Sequence, residues 1–470
     1  MTRATLGIDT YQLTTLVAHA DEGRLGQTVS MAVFFRRMPR SRGYVVFCGL
    51  RRILQHAAQM RIDASELDAI LRHPVLGPAL TARPALRTAL AALDGFRGEI
   101  DAMPEGTLAF AGPAVRTDGR PLDVAGARLV IYTPLLRVRT DMVRAKLLET
   151  PWLGYVNHMS MVASKAARVV DAAGGKAVIE FGQRRTHPVA AVDATYAAYV
   201  AGVSASSNIA AYLEYGIPAS GTMDHFAVQA SEKPGVSPLE TERAFFKAYA
   251  DAFNGPTTML VDTYDTERGI RNAVEASGGR LGAIRIDSNV SVTSLRRARE
   301  LLVELGAAHV KVYASDGLDE NKVKELSAVA DGFGVGENIT CSPDAATGIG
   351  AVAKLVVNGY GKITMKMAKG SGKATLPGEI QAYRFADHDL VALADEPAPS
   401  GGTPLLSPVW RGTAPVAELP SLDETRAHVR RQVEALSPAL RALDGAATRT
   451  LVASDGLVRQ IEALTREAHV

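Results

Sequence analysis

The sequence predicts an α/β protein in which strands and helices alternate through the middle of the chain. Three observations support this class. From Val178 onward, short runs rich in β-branched residues alternate with longer amphipathic segments. Before residue 136, short strand-like and helix-like segments are mixed between glycines and prolines. After residue 420 the chain is strongly charged and its composition favours helices.

The apolar runs of the central region are short, as strands usually are. Helix-like segments separate several of them, and such alternation predicts parallel strands joined by right-handed crossovers. A closed barrel and an open doubly wound sheet both fit this pattern. The predicted strands cover residues 177–181, 259–264, 283–287, 309–314, 332–335 and 355–357.

Three segments between these strands have apolar residues at helical spacing. The clearest is 291–306, which places Leu295 and Leu302 on one face and has arginine and glutamate opposite. Segments 265–277 and 319–329 repeat the pattern on a smaller scale. Each segment is therefore predicted to be a crossover helix.

The flanking regions have a different character. Residues 1–135 are predicted to mix short strands with helices, whereas 137–173 has the composition of two helices and ends at Gly174, a common helix stop. Residues 395–420 are predicted to be a linker, and 421–470 to be helical. The predicted N-terminal strands are 29–35, 45–47, 99–110, 121–123 and 127–132, and the predicted N-terminal helices are 50–60 and 64–71.

Composition excludes several classes of protein. The 470 residues are 47% hydrophobic and 22% charged, as in ordinary folded proteins. The net charge of +2 is spread along the chain, which argues against binding to nucleic acid or to a membrane surface. Cys48 and Cys341 are the only cysteines, which excludes a disulfide scaffold and favours the cytoplasm. No apolar run approaches the roughly 20 residues of a membrane span, and the first residues lack the pattern of a signal peptide.

Polar residues and glycines follow four successive predicted strands. Because the carboxyl ends of parallel strands meet at one edge of a sheet, we expect these residues to lie close together. Asp and Ser also cap helices, so one or two such ends would be ordinary. Four of them, with several arginines and glycine turns, predict a site for a phosphorylated, anionic substrate. The four ends are 180–185 (EFGQRR), 285–288 (RIDS), 315–317 (SDG) and 334–336 (GVG).

Two phosphate-binding signatures fail, and a histidine remains as a candidate. The GSGK run at 370–373 is not a P-loop, because Ala374 replaces the required Ser or Thr and the earlier glycine is missing. The GFGVG run at 332–336 has the wrong spacing for a dinucleotide fingerprint. His225 ends the segment 220–225 (SGTMDH). A single histidine near a turn is commonly structural, but beside the strand ends it is a candidate nucleophile or acid/base.

Taken in order, short motifs of this chain resemble those of the nicotinate phosphoribosyltransferase family. Each motif is short, and it is their number and order that make the resemblance specific. The similarity runs from about residue 8 to beyond 430. The motifs are 8–14 (IDTYQLT), 34–37 (FFRR), 43–44 (GY), 47–50 (FCGL), 164–168 (SKAAR), 180–185 (EFGQRR), 220–225 (SGTMDH), 261–265 (VDTYD), 285–288 (RIDS), 333–336 (FGVG) and 375–378 (TLPG).

The resemblance implies a type II phosphoribosyltransferase fold. This fold is an irregular α/β barrel with an N-terminal α/β-sandwich domain and a C-terminal helical extension. The implied domains are a sandwich at 1–135 that is completed by about 362–390, a barrel at 136–361, and a linker with the helical extension at 391–470.

The resemblance also implies an activity, its cofactors and its partners. The family joins nicotinate to phosphoribosyl pyrophosphate and releases nicotinate mononucleotide and pyrophosphate, a step of NAD biosynthesis. ATP is a co-substrate whose hydrolysis is coupled through a phosphohistidine, and Mg²⁺ is required. The family works as a homodimer with shared active sites. The motif histidine corresponds to His225, which is therefore the expected phosphorylation site.

Individual roles follow from the resemblance and fit the chemistry. Displacement at the anomeric carbon develops positive charge on the sugar, which Asp287 would stabilise, while Arg285 would lie near the phosphates. Arg184 would meet the carboxylate of nicotinate. Tyr11, from the partner subunit, and Phe181 would sandwich the pyridine ring. The phosphoribosyl pocket would be lined by Ser315, Asp316, Gly334 and Gly336, and the metal ligands are not assigned.

The chain departs from the family pattern at two places. The family usually has Gly-Asp after the Arg-x-Asp-Ser unit, where this chain has Asn289 and Val290. It also often has Ala before the motif histidine and a polar residue after it, where this chain has Asp224 and Phe226. Two alternatives therefore stay open. One is a family member that acts on a different pyridine or heteroaromatic acid, and the other is a catalytically silent nucleotide-binding homologue.

Overall fold

The computed structural model describes residues 4–39, 41–341, 349–367, 369–370 and 373–468. They form two compact units. The first unit comprises Met1–Met161 and Ala346–Val470, and the second comprises Val162–Ala345. The family resemblance implies domains at 1–135, 136–361 and 391–470, and these boundaries stay a prediction. No helix in the described part of the chain has the length and apolar character needed to cross a lipid bilayer.

The helices begin at side chains that suit helix starts. Asp63, Ser237, Ser291 and Ser421 each cap a helix through a reciprocal bond pair with the third helical residue. The helices are α1 (Thr10–Asp21), α2 (Leu50–Gln59), α3 (Ala64–Leu71), α4 (Leu76–Thr81), α5 (Pro84–Ala91), α6 (Met142–Ala172), α7 (Pro188–Val200), α8 (Ile209–Tyr215), α9 (His225–Gln229), α10 (Pro238–Ala252), α11 (Thr266–Ala276), α12 (Val292–Glu304), α13 (Glu320–Leu326), α14 (Glu337–Thr340), α15 (Leu422–Ala435), α16 (Pro438–Arg441) and α17 (Asp455–Glu467).

The strands are short, and most of them lie in three six-stranded sheets. They are β1 (Thr28–Phe34), β2 (Val45–Val46), β3 (Gly98–Ala102), β4 (Leu108–Ala109), β5 (Ala111–Arg116), β6 (Asp123–Val124), β7 (Ala127–Arg128), β8 (Val130–Tyr132), β9 (Leu136–Asp141), β10 (Ala177–Glu180), β11 (Ala205–Ser206), β12 (Thr257–Leu260), β13 (Leu281–Ile286), β14 (Lys311–Ala314), β15 (Gly332–Val335), β16 (Val352–Val357), β17 (Ile380–Arg384), β18 (His388–Leu393), β19 (Thr403–Pro404), β20 (Ser407–Gly412), β21 (Ala414–Pro415) and β22 (Thr450–Ala453).

The first unit contains two of these sheets. One is antiparallel, with the order β16-β1-β9-β3-β20-β21, and the other has the order β19-β17-β18-β22-β5-β8. The rings of Phe34 and Tyr132 stack with their centroids 3.7 Å apart. Trp152 and Trp410 are buried, and the ring of each contacts the ring of Phe96. Large aromatic side chains therefore fill the core of this unit.

The second unit contains a six-stranded parallel sheet with the order β11-β10-β15-β14-β13-β12. Helices α11, α12 and α13 connect β12, β13, β14 and β15 in turn, as the alternating sequence pattern predicts. In the described part of the chain, the edge strands β11 and β12 do not pair with each other, so the sheet is open there. Parallel pairing brings the carboxyl ends of all six strands to one edge.

Most central elements match their predicted positions, but residues 137–173 do not form two helices. The segment begins with β9 and continues as the single helix α6, which runs through Pro151. Strand β9 alternates buried and more exposed residues and lies between β1 and β3. This pairing with distant strands overrides the local helical composition.

The C-terminal region also contains strands where a linker and helices were predicted. Strand β20, inside the predicted linker, pairs antiparallel with β3 and buries Trp410. Strand β22, inside the predicted helical tail, pairs in parallel with β5 and β18. Both pairings join segments more than 50 residues apart in sequence, which local pattern alone does not reveal.

Candidate active site

A cavity of about 540 Å³ opens at the carboxyl edge of the parallel sheet in the second unit. Its lining comes largely from the segments that follow β10, β11, β13, β14 and β15. The expectation that these strand ends meet is therefore met by the geometry. The residues that were assigned from sequence and that line this cavity are Phe181, Arg184, Arg285, Asp287, Ser315, Asp316, Gly334 and Gly336.

The ring of Phe181 lies against the backbone of the neighbouring strand β15. A Cβ atom added at Gly334 would lie 2.6 Å from Cδ2 of Phe181 and closer still to Cε2. Only glycine leaves room for the ring at this position. The guanidinium carbon of Arg285 lies 5.7 Å from the ring centroid, within cation–π range. The ring is thus held against Gly334 and near Arg285, and it lines the cavity.

The turn after β10 is organised by the buried carboxylate of Glu180. This group accepts hydrogen bonds from Ser206 Oγ at 2.7 Å and Thr195 Oγ1 at 3.0 Å. It also accepts bonds from the Gly182 N–H and from the amide of Gln183. Four donors satisfy a carboxylate that has no exposure to solvent. The network holds the backbone that carries the following arginines, and the sequence did not reveal it because two donors come from distant elements.

The two arginines after β10 differ in their contacts. Arg185 forms an ion pair of 3.7 Å with Glu337 on an exposed surface. Both arginines are exposed and line the cavity, but Arg184 makes no hydrogen bond or ion pair to any described residue. Its guanidinium is therefore available to an anionic ligand.

Arg285 is a second cation of the cavity. Its Nη2 donates a hydrogen bond of 2.9 Å to the carbonyl oxygen of Met223, and its Nε is buried with no partner among the described residues. Burial lowers the pKa of this arginine most, and the charge of Arg184 also lowers it, against the opposing charges of Asp287 and Asp262. Arginine remains charged in proteins, so Arg285 contributes a positive charge to the lining of the cavity.

Asp287 follows β13 and is held from two sides. Ser315 Oγ donates a hydrogen bond of 2.8 Å to Asp287 Oδ1. The backbone N–H of Asp287 donates a bond of 2.8 Å to Asp262 Oδ2. The side chain and the backbone of Asp287 therefore both have defined positions in the cavity wall.

The loops after β14 and β15, two strands that lie between β10 and β13 in the sheet, line the middle of the cavity wall. Asn338 Nδ2 donates to the carbonyl oxygens of Gly317 and Leu318, each at 3.0 Å. Gly336 approaches the carbonyl oxygen of Phe181, which a Cβ would meet at 3.2 Å. These contacts tie the two loops to one another and to the turn after β10, and Asp316, in the loop after β14, is also in the lining.

His225 begins α9 and does not line the cavity, whereas its neighbour Asp224 does. The Nδ1 atom of His225 lies 3.2 Å from Thr263 Oγ1. Asp224 caps the helix, because its Oδ1 accepts a bond of 2.9 Å from the Ala227 N–H. The acidic residue before the histidine therefore has a local structural reason, and Phe226 after it is largely exposed.

Asn289 stands where the family pattern has glycine, and its backbone has a left-handed conformation of the kind that glycine readily adopts. Its φ is +52°, in the left-handed region. Asparagine tolerates this region better than most residues other than glycine. This departure therefore leaves the turn after β13 intact.

Tyr11 lies in the first unit and is not part of the cavity lining. It is on α1, with 47% of its surface exposed. Lys146 Nζ lies 5.1 Å from its ring centroid. Partial burial raises the pKa of its phenol, and the charges of Glu149 and Asp9 raise it further.

A preformed metal site is not found among the described residues, where no three His, Cys, Asp or Glu side chains converge. Mg²⁺ commonly takes few protein ligands and binds through substrate phosphates and water. The acidic groups of the cavity are compatible with that mode, and none of them is assigned as a ligand.

Comparison with known proteins now identifies the family. Residues 177–393 match the Nicotinate phosphoribosyltransferase (NAPRTase) family. Nicotinate phosphoribosyltransferase pncB2 of Mycobacterium tuberculosis is 34% identical over 481 aligned positions, which cover 98% of this chain and 95% of that protein. This chain belongs to the nicotinate phosphoribosyltransferase family. The family resemblance predicted from the motifs is thus confirmed.

Two further relatives agree with this assignment. Nicotinate phosphoribosyltransferase pncB1 of Mycobacterium tuberculosis is 41% identical over 341 residues, 72% of this chain and 69% of that protein. The crystal structure of human Nicotinic Acid Phosphoribosyltransferase superposes with a TM-score of 0.80, at 26% identity, over 98% of this chain and 99% of that one. The α/β fold class predicted from the sequence is confirmed by this similarity.

Proposed function

We propose that this phosphoribosyltransferase transfers the phosphoribosyl group of phosphoribosyl pyrophosphate to nicotinate, in NAD biosynthesis. The products are nicotinate mononucleotide and pyrophosphate. One observation carries the proposal. A flat aromatic ring, two arginines and a carboxylate converge in one cavity, as Phe181, Arg184, Arg285 and Asp287. Membership of the family supports the same activity.

The transfer forms one bond and breaks another. The ring nitrogen of nicotinate bonds to the anomeric carbon of ribose, and the bond from that carbon to the pyrophosphate oxygen breaks, with its electron pair leaving on pyrophosphate. Positive charge develops on the sugar in the transition state, and the Asp287 carboxylate stabilises it. The bond from Ser315 keeps this carboxylate oriented, so little reorganisation is needed.

The anionic groups of the substrates meet donors at the strand ends. The positive charge of Arg285 in the cavity lining attracts the phosphate oxygens of phosphoribosyl pyrophosphate. The loops that carry Ser315, Asp316 and Gly336 provide further polar groups and close backbone approach to the phosphoribosyl moiety.

The acceptor ring and its carboxylate meet two neighbouring residues of one turn. Phe181 offers a ring face for stacking on the pyridine, held in place by Gly334. Arg184 has no competing partner among the described residues and pairs with the nicotinate carboxylate. Nicotinamide lacks that charge, so this contact favours the acid over the amide.

The proposal includes ATP coupling through His225. The γ-phosphoryl group of ATP transfers to the histidine with release of ADP, and water later hydrolyses the phosphohistidine. Thr263 engages Nδ1, which leaves Nε2 as the nitrogen for phosphorylation. Mg²⁺, held through the substrate phosphates, would supply additional charge neutralisation for the leaving group.

We also propose a homodimer with shared active sites. Phe181 is the only aromatic residue in the described lining of the cavity, so a second ring for the pyridine must come from elsewhere. The exposed Tyr11 of the partner subunit is the candidate. The cytoplasmic location expected from the cysteine content stays a prediction.

The decisive experiment measures pyrophosphate release with phosphoribosyl pyrophosphate and a panel of bases, for the wild type and for Arg184→Ala. Hydrogen bonds to charged groups contribute roughly 1.5–3 kcal/mol, so the variant is expected to lose about tenfold to a hundredfold in kcat/KM for nicotinate. Its already poor use of nicotinamide should hardly change. Arg184→Lys should recover part of the loss, since an ammonium lacks the bidentate fork.

Arg185→Ala is the matched control, because Arg185 is the neighbouring arginine and pairs with Glu337. It is expected to keep the preference for the acid. Release only with another heteroaromatic acid would reassign the acceptor. Binding of nucleotide without turnover of any base would make the chain a silent homologue. An unchanged acid-to-amide ratio in Arg184→Ala would show that another cation reads the carboxylate.

A further inference from the structure

A carboxyl group that the proposed reaction does not use is buried on α10. Glu242 has no exposure to solvent and does not line the cavity. Its Oε2 accepts a hydrogen bond of 2.9 Å from Asn272 Nδ2. Its Oε1 is buried without a hydrogen-bond partner among the described residues. A charged carboxylate in this state would be costly, so its protonation state needs an explanation.

A second carboxylate, that of Asp262, connects this region to the cavity. Asp262, just after β12, accepts the backbone N–H of Asp287 with Oδ2 at 2.8 Å. Its other oxygen, Oδ1, is buried and also lacks a partner among the described residues. Asp262 therefore holds the residue proposed to stabilise the ribose, and it does so beside Glu242, on which its charge acts.

Two charged groups act on the Glu242 carboxyl, Asp262 and Asp265, and both are negative. Burial is the largest cause that raises its pKa, from an ordinary 4.5 to about 7, and the charges of Asp262 and Asp265 raise it further against the bond from Asn272. The charge of Glu242 also raises the pKa of Tyr264, which lies in the same loop as Asp262 and Asp265. Two helices of the described part of the chain pack on α10. The first is α11, which carries Asn272 and is capped by Asp265. The second is α9, which begins with His225, whose Nδ1 atom lies 3.2 Å from Thr263 Oγ1.

We propose that Glu242 is a positioning residue of the site, which as a neutral acid leaves Asp262 as the charged group that holds the backbone of Asp287. Ionisation of Glu242 would place a second negative charge in the same buried region. Like charges disfavour one another, so the Asp262 side chain would move away from Glu242, and its bond to the Asp287 N–H would weaken. The active form of the enzyme is then the one with protonated Glu242.

The inference rests on the proposed function only for its kinetic readout. That readout is the pH dependence of kcat in wild type, in Glu242→Gln and in Glu300→Gln. Glutamine keeps the shape of a neutral glutamic acid but cannot ionise. Glu300 is an exposed glutamate on α12, away from the cavity, and is the matched control. Ratios between variants cancel the ionisation of the substrates.

Wild type and Glu300→Gln are expected to lose about tenfold or more in kcat as pH rises from about 6 to about 9. Glu242→Gln should match wild type within about threefold at pH 6 and should lack this loss. The ratio of Glu242→Gln to wild type therefore rises with pH. A ratio that stays constant across the range would overturn the positioning role.

A second readout does not depend on turnover. Because the folded pKa lies above the unfolded value, wild type loses stability relative to Glu242→Gln as pH rises from about 4.5 to about 7, and the difference is constant above that range. The ratio of their unfolding equilibrium constants in urea should change by about 300-fold at most, tenfold for each unit between the two pKa values. A difference that does not vary with pH would show that Glu242 does not titrate there, which also overturns the proposal.

The two readouts separate the possible failures. A pH-dependent stability difference with an unchanged kcat profile would make Glu242 a structural acid only. If no base is turned over, the proposed function fails. The affinity for phosphoribosyl pyrophosphate, measured by calorimetry, then replaces kcat, and the ratio of Glu242→Gln to wild type should again rise with pH. If Glu242→Gln does not fold, Asp262→Asn is used instead. Removing that neighbouring charge should move the pH-dependent loss of stability to lower pH, and an unmoved transition would overturn the proposal.

Discussion

Replacing Gly334 by alanine tests how the cavity positions its aromatic ring. The added Cβ would lie 2.6 Å from Cδ2 of Phe181, closer to Cε2, and 3.0 Å from Cβ of Ser315. Carbon atoms in contact normally lie about 3.5–4.0 Å apart. The backbone of Phe181 is held by a bond of 2.9 Å from its N–H to the carbonyl of Val335, so the ring itself has to move.

The size of the effect follows from this geometry. Restoring normal contact requires a displacement of the ring by about 1 Å. Misplacement of a positioning group by about 1 Å can cost about a hundredfold in rate, and overpacking a filled site costs about 1–3 kcal/mol of stability. We therefore expect Gly334→Ala to lower kcat/KM for nicotinate by about a hundredfold and the free energy of unfolding by about 1–3 kcal/mol.

The assay is pyrophosphate release at saturating phosphoribosyl pyrophosphate with varied nicotinate, together with urea unfolding. Gly255→Ala is the matched control, because a Cβ at that glycine meets nothing within 4 Å. It should leave both quantities unchanged. A Gly334→Ala enzyme that keeps kcat/KM within about threefold of wild type would refute the reasoning that the Phe181 ring positions the base.

A double-mutant cycle with Phe181→Leu identifies the cause of any loss. Leucine is smaller and removes the ring atoms that the new Cβ would meet. In that background Gly334→Ala should cost at least about 1 kcal/mol less stability than in wild type, since contacting residues couple. Equal costs in the two backgrounds would mean that the alanine acts through another contact, such as Ser315.

Two further predictions concern the phosphohistidine and the dimer. Incubation with γ-labelled ATP should give an acid-labile phosphoenzyme that is lost in His225→Ala and kept in Asp224→Asn, where asparagine can still cap α9; label retained in His225→Ala would reject this histidine. Random reassociation of inactive Tyr11→Ala and Asp287→Asn chains should recover about a quarter of wild-type activity, because half of the dimers would contain one complete site. No recovery in dimers confirmed by sedimentation would show that the two residues do not meet across subunits.

The central elements and the membership of the cavity could be predicted from sequence for a physical reason. Hydrophobic periodicity marks β10, β12, β13, β14 and β15 locally, and parallel pairing then brings their carboxyl ends to one edge. Phe181, Arg184, Arg285 and Asp287 follow from that rule. Their chemical roles came from the family motifs and remain proposals.

Elements stabilised by distant pairing could not be predicted in this way. Strand β9 looks helical in isolation, β20 lies in a segment with linker composition, and β22 lies in a charged tail, yet each completes a sheet in the first unit. Their strand conformation depends on partners elsewhere in the chain, which local propensity does not encode.

The sequence by itself determined the α/β class, the strand ends that line the cavity and the family to which the chain belongs. Only the tertiary structure decided which groups hold the residues of these strand ends in position. The ring of Phe181 needs the missing side chain of Gly334, and the backbone of Asp287 needs Asp262. Glu242 became visible only as a buried carboxyl beside Asp262, because burial and the distance between charges depend on the folded packing and not on the order of residues.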